Sequence, residues 1–146
     1  MTVLFRKTDP RAVTPCRATA GSAGYDLYAL LDEPVTVEPG GLVRIGTGIA
    51  LELPSAELAA FIYARSGLAS KHGIIPANCV GVVDSDYRGE VQVTLANIGS
   101  EPYTVAPGER IAQMVIAPVC LPELRETEEL TQTERGSGGF GSTGKA

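Results

Sequence analysis

The sequence predicts an all-β domain, a sandwich or jelly-roll-like barrel, followed by a flexible C-terminal arm. Three observations carry that prediction. Short β-favouring apolar runs recur along the chain with Gly and Pro between them. One run alternates strictly, with Val91, Val93 and Leu95 against Gln92, Thr94 and Ala96, which is the period of a half-buried strand. The final stretch changes character: residues 121–134 are acidic and weakly apolar, and residues 135–144 are mostly Gly and Ser. Many short strands at this spacing pack as two sheets or close into a barrel.

In chain order, strands are predicted at residues 3–6, 25–30, 34–37, 42–45, 49–53, 59–64, 80–83, 91–97, 103–105 and 111–118. Glu38, Pro39, Gly40 and Gly41 form one turn, and Ala106, Pro107 and Gly108 another. Residues 66–71 suit a short helix with Ser66 as its cap. The division is one domain over residues 1–122 and an arm over 123–146, without an internal repeat of solenoid length.

A chain of 146 residues with 44% hydrophobic and 20% charged residues can bury a core of its own. Trp is absent and aromatics make up 5%, so small and β-branched side chains must fill that core. A net charge of −5 disfavours general nucleic-acid binding, yet a local cluster of Arg and backbone N–H groups can still hold a small anion. Cys16, Cys79 and Cys120 make no CxxC pair, and they are expected to be small buried apolar residues. No apolar run reaches membrane length and the first residues do not resemble a signal peptide, so a reducing, cytoplasmic setting is expected.

Five segments carry chemistry. The first, Ala23 to Leu27, holds Asp26 between apolar neighbours at a strand start; taken alone, such an Asp is an ordinary hydrogen-bond anchor. In the second, a strand runs into Arg65, Ser66 and Gly67. Unpaired backbone N–H groups, a hydroxyl and a guanidinium there can hold an anion, although three such residues are weak by themselves. The third is the most specific. Asn78 leads through Val82 and Val83 to Asp84, Ser85, Asp86, Tyr87, Arg88 and Gly89, a hairpin or corner with acids and an aromatic at its tip. Asp84 and Asp86 share a face if the strand stays extended there, but they lack the further ligands of a Ca²⁺ loop. In the fourth, Gln113 interrupts an apolar strand: either a solvated edge residue or an amide aimed at a ligand. The fifth joins Arg135 and Gly136 to a Gly-rich run containing Phe140, an aromatic that suits docking over something flat.

These five segments resemble, in order, the five motifs of the trimeric dUTP pyrophosphatase (dUTPase) family: AGYDL, ARSGLA, GVVDSDYRGEV, GERIAQM and RGSGGFGSTG. The match runs from about residue 23 to residue 144. The resemblance implies a jelly-roll-like fold and a homotrimer with active sites between subunits. It also implies Mg²⁺-assisted hydrolysis of dUTP to dUMP and pyrophosphate, which limits uracil in DNA and supplies dUMP for thymidylate. In this reading Asp84 activates the attacking water. Asn78 and the backbone around Val82 and Val83 line a uracil slot, with Gln92 beside it. Tyr87 lies under the deoxyribose and leaves no room for a 2′-hydroxyl. Arg65, Ser66, Gly67 and Gln113 hold phosphate oxygens. Arg135 and Gly136 close over the polyphosphate while Phe140 stacks on uracil, and Asp26 supports the site near the metal's waters or a neighbouring Arg.

The chemistry agrees with that set. A triphosphate repels a nucleophile, so positioning and charge neutralisation do most of the work. Mg²⁺ can be held by phosphates and waters with no direct protein ligand, which fits a chain with one His. Hydrogen bonds to the uracil edge mismatch cytosine, and a tight slot excludes the thymine methyl. Zinc hydrolysis and a Ser-His-Asp enzyme both lack the necessary His residues, and no G-x-S-x-G is present. Two rivals are a dCTP deaminase-like enzyme and a nucleotide-responsive regulatory protein that has lost catalysis. The Phe-bearing tail and the Asp84/Tyr87 corner oppose the first, and the complete catalytic set opposes the second.

Overall fold

A computed structural model describes residues 1–139 of the chain. It contains β1 (Leu4–Lys7), β2 (Tyr25–Tyr28), β3 (Val35–Val37), β4 (Leu42–Glu52), β5 (Leu58–Tyr63), α1 (Ser66–His72), β6 (Ile74–Pro76), β7 (Gly81–Val83), β8 (Glu90–Asn97), β9 (Tyr103–Val105) and β10 (Arg110–Pro118). Two antiparallel sheets, β1-β4-β8-β6 and β2-β10-β5-β7, form the body, and β3-β9 form a small third ladder. The all-β expectation holds. Leu27 and Ile111 of one sheet join Ile45 and Leu95 of the other in a single core, each 1% exposed or less. The alternation read at residues 91–96 is real: Val91, Val93 and Leu95 are buried while Gln92 is exposed. Among the described residues, no helix is long and apolar enough to cross a membrane.

The differences from expectation have local causes. The strands expected at 42–45 and 49–53 are one strand, β4. The intervening Gly46, Thr47 and Gly48 read as a break but form a bulge, with the register shift between Gly46 and Ala50. Thr47, 1% exposed, fills the gap by donating its hydroxyl to the Val91 carbonyl at 2.6 Å. β6 was not expected because it is short and holds Pro76; it lies at a sheet edge, where a missing N–H is tolerated. Ser66 is not the helix cap. Arg65 occupies that position with extended backbone, and its carbonyl accepts the first helical bond from Ala69 N at 3.0 Å. The expected turns are present: Gly41 N donates to the Glu38 carbonyl, and Glu109 N to that of Ala106. The three cysteines are exposed rather than buried, because each lies in an irregular connection at the surface rather than within a sheet. Beyond β10, residues 119–139 form no strand, and those from 121 to 137 are exposed.

Candidate functional site

Two groups of predicted residues assemble. The first forms where β2, β10 and β5 lie side by side. Asp26 on β2 faces Gln113 on β10, and Gln113 in turn faces Tyr63 near the end of β5. Asp26 is buried, with both carboxylate oxygens committed: Arg65 Nε donates to Oδ1 and Arg110 Nη1 to Oδ2, each at 3.1 Å. Arg65 Nη1 also donates to the Arg110 carbonyl at 3.2 Å. Of the two supports expected for Asp26, the structure therefore provides the arginine. The result is a pair of guanidiniums oriented by one carboxylate, both still partly open to solvent.

β10 is a central strand of its sheet, so Gln113 is not a solvated edge residue. Its Nε2 donates to the Ala64 carbonyl at 2.9 Å and holds the chain just ahead of Arg65. Gly24 makes room for this amide, since a Cβ there would stand 2.8 Å from Gln113 Oε1. Ser66 and Gly67 follow in the first turn of α1, both exposed, and no side chain caps the N–H groups of that turn.

Arg110 is the member that sequence reasoning missed. Strict alternation puts Arg110 and Gln113 on opposite faces of a strand. A bulge between Arg110 and Ala112 shifts the register, so Arg110 lies opposite Tyr28 and Gln113 opposite Asp26. Tyr28 and Asp26 are two residues apart, so both side chains of β10 emerge on one face. Ile111 and Ala112 are consecutive yet both buried, as a bulge requires.

The second group lies where β7 gives way to β8. The segment is a corner rather than a ladder-paired hairpin: β7 pairs with β5 in one sheet, and β8 pairs with β4 and β6 in the other. A groove opens between them. One part, about 410 Å³, is lined by Asn78, Val82, Val83 and Gln92 among others. The adjoining part, about 230 Å³, shares Val82, Val83 and Gln92 and adds Asp84, Tyr87 and Glu90. β7 is an edge strand, so its outer row of backbone N–H and C=O groups has no ladder partner among the described residues. Asp84 is exposed and opens a turn in which its carbonyl accepts from Tyr87 N at 3.2 Å. The strand therefore ends at Val83, and Asp84 and Asp86 are not the same-face pair of an extended strand. The Tyr87 ring, 46% exposed, lies over Gly89, where a Cβ would stand 2.3 Å from the phenol oxygen.

Arg135 and Gly136 sit in local turns of the exposed arm, where Arg135 Nε donates to the Gly138 carbonyl at 3.0 Å. Phe140 lies outside the described residues. A larger cavity, about 690 Å³, lies elsewhere, with mostly apolar walls that include Phe5, Leu51 and Met114.

The sequence model of the dUTPase family matches residues 11–144. The chain belongs to the dUTPase family. Among its relatives is the deoxyuridine 5'-triphosphate nucleotidohydrolase of Desulfitobacterium hafniense, 54% identical over 97% of this chain and 94% of the relative. The protein of the same name from Coxiella burnetii is 48% identical over 98% and 94% of the two chains. The Staphylococcus bacteriophage 80alpha dUTPase, solved with dUPNHPP, superposes with a TM-score of 0.86 at 29% identity and covers 98% of each chain. A mutant dUTPase of phage phi11 of S. aureus, described for its coordination of a structural Mg(II) ion, gives 0.79 at 25% identity over 90% of this chain and 100% of that one. The dUTPase fold thus spans both groups described above.

Proposed function

We propose that the chain hydrolyses dUTP to dUMP and pyrophosphate in a site completed by more than one copy. The observation that carries this reading is the groove at the β7–β8 corner, with an unpaired strand edge along its wall and an exposed carboxylate and phenol at its end. The free backbone groups near Val82 and Val83, together with Asn78, read the uracil edge, and Gln92 borders the slot. Tyr87 carries the deoxyribose on its ring. The Asp84 carboxylate accepts a proton from water as the water oxygen bonds to the α-phosphorus, and the bond from that phosphorus to the bridging oxygen breaks to release pyrophosphate.

Arg65, steered by Asp26, takes phosphate oxygens with Ser66 and Gly67, and Gln113 completes this side. Arg135, Gly136 and Phe140 belong to the same reading as a closing arm that excludes water.

Within one chain these groups are separated. Asp84 follows Val83, which lies opposite Ala60, whereas Arg65 comes five residues beyond Ala60. At about 3.3 Å per residue, some ~16 Å along the sheet separates Val83 from Arg65. The Arg65 guanidinium is moreover drawn across β10 towards Asp26 on β2, away from β7. A homotrimer with sites between subunits resolves that separation.

Mg²⁺ fits this arrangement through the substrate. Both Asp26 oxygens already accept from guanidiniums, Asp84 is exposed, and among the described residues no three acidic, His or Cys side chains converge. When bound, the ion neutralises charge on the triphosphate, held by phosphate oxygens and water.

The test is purified protein with Mg²⁺ and, separately, dUTP, dCTP, dTTP and UTP. Pyrophosphate from dUTP alone is expected; ammonia from dCTP, or no turnover of dUTP, refutes the reading.

A further inference from the structure

We infer that Glu90 is a positioning residue for sugar selection, tying the cleft end of β8 to the bulge of β4. The inference rests on the role proposed above for Tyr87. Glu90 opens β8, and its carboxylate reaches across the ladder to the bulge. Gly48 N donates to Glu90 Oε1 at 2.6 Å. A Cβ on Gly46 would stand 2.6 Å from that same oxygen, so an alanine there would have to displace the Glu90 carboxylate. Gly48 itself has a φ of 68°, the left-handed backbone that suits glycine, within the stretch where the β4–β8 register shifts.

The backbone of Glu90 in turn holds the phenol. Tyr87 donates its hydroxyl to the Glu90 carbonyl at 3.1 Å, with the ring laid over Gly89. Gln92 Nε2 makes a long contact, 3.5 Å, with Glu90 Oε2. Glu90 therefore touches two groups that border the groove with Val82, Val83 and Asp84, Gln92 through its carboxylate and Tyr87 through its backbone carbonyl. Without that carboxylate, the Gly48 N–H loses its acceptor, the start of β8 keeps only its ladder pairing with Ala50 and the Thr47 bond to Val91, and the Tyr87 ring can move. Exclusion of a 2′-hydroxyl depends on where that ring lies, so sugar preference is the property that should respond.

The experiment compares wild type, Glu90→Ala, Glu90→Gln and Gly46→Ala, reading kcat/KM for dUTP and UTP together with thermal unfolding. Wild type should favour dUTP. Glu90→Ala and Gly46→Ala should each raise the UTP-to-dUTP ratio by about tenfold, because a displacement of ~1 Å is enough to spoil a fitted geometry. Glu90→Gln keeps an acceptor for the Gly48 N–H and should hold the ratio within about twofold of wild type. Gly46→Ala pushes the carboxylate from the β4 side and keeps the test decisive should Glu90→Ala not fold. A lower Tm with an unchanged ratio would overturn the inference and leave Glu90 a purely structural residue. A wild type that turns over dUTP while its variants keep their sugar preference defeats this inference alone. Absence of dUTP turnover by wild type overturns the proposed function and this inference with it.

Discussion

Asp26 and Asp84 illustrate how one side-chain type acquires two roles from its surroundings. Asp26 is buried and shared between two guanidiniums, so its value lies in aiming Arg65 and Arg110. Asp84 is exposed at the mouth of a groove, free to meet a water and a ligand. Asp84→Asn keeps the shape and removes the proposed base. It should leave binding of a non-hydrolysable dUTP analogue nearly intact and slow single-turnover hydrolysis by about 10²–10⁴-fold. Hydrolysis at the wild-type rate would remove Asp84 from the chemistry. The corner that holds Asp84 was legible in the sequence because its residues, from Asn78 to Gly89, are contiguous. Arg110 was not, because the bulge that brings it beside Gln113 inverts the alternation by which strands are read.

At the scale of elements, the strands that alternate or end in turn chemistry were legible, and those shaped by long-range pairing were not. β8 and the turn at Gly108 follow from local pattern. The continuity of β4 depends on Thr47 reaching Val91, and β6 exists because β8 offers it an edge. The connection from β9 to β10 has a testable chemistry of its own. Tyr103 donates its hydroxyl to Glu109 Oε1, and Ala106 N donates to Oε2 of the same carboxylate at 2.9 Å. Burial first, and the neighbouring Glu109 carboxylate second, push the Tyr103 phenol up to about 12. The folded state thus holds that proton more tightly than the unfolded chain, whose tyrosine titrates near ~10. The resulting stability is complete below about pH 10 and is lost as pH rises towards about 12. Tyr103→Phe should therefore show a smaller fall in urea-unfolding stability between pH 9 and pH 11.5 than wild type. An equal fall in both proteins would show that Tyr103 does not carry the effect.

For the whole molecule, the decisive feature is the distance between groups that the proposed function brings to one nucleotide. The corner with Asp84, the Asp26–Arg65 cluster and the arm with Arg135 occupy separate places on one chain. Spacing along the sequence does not reveal this, since the motifs follow one another without indicating which copies meet. Removing residues 136–146 should preserve the fold yet reduce turnover of dUTP by about 10²-fold or more, because the proposed closing arm and its exclusion of water are lost together. Full activity in the truncated protein would show the arm to be dispensable. Sharing between copies is tested most directly by mixing two inactive variants, Asp84→Asn and Arg65→Ala, through co-refolding at equal amounts. If Asp84 of one copy and Arg65 of another act on the same dUTP, random assembly should restore activity at about one quarter of the sites. Activity no higher than that of either variant alone would mean that both residues serve from a single chain or do not serve one nucleotide, and would contradict the account.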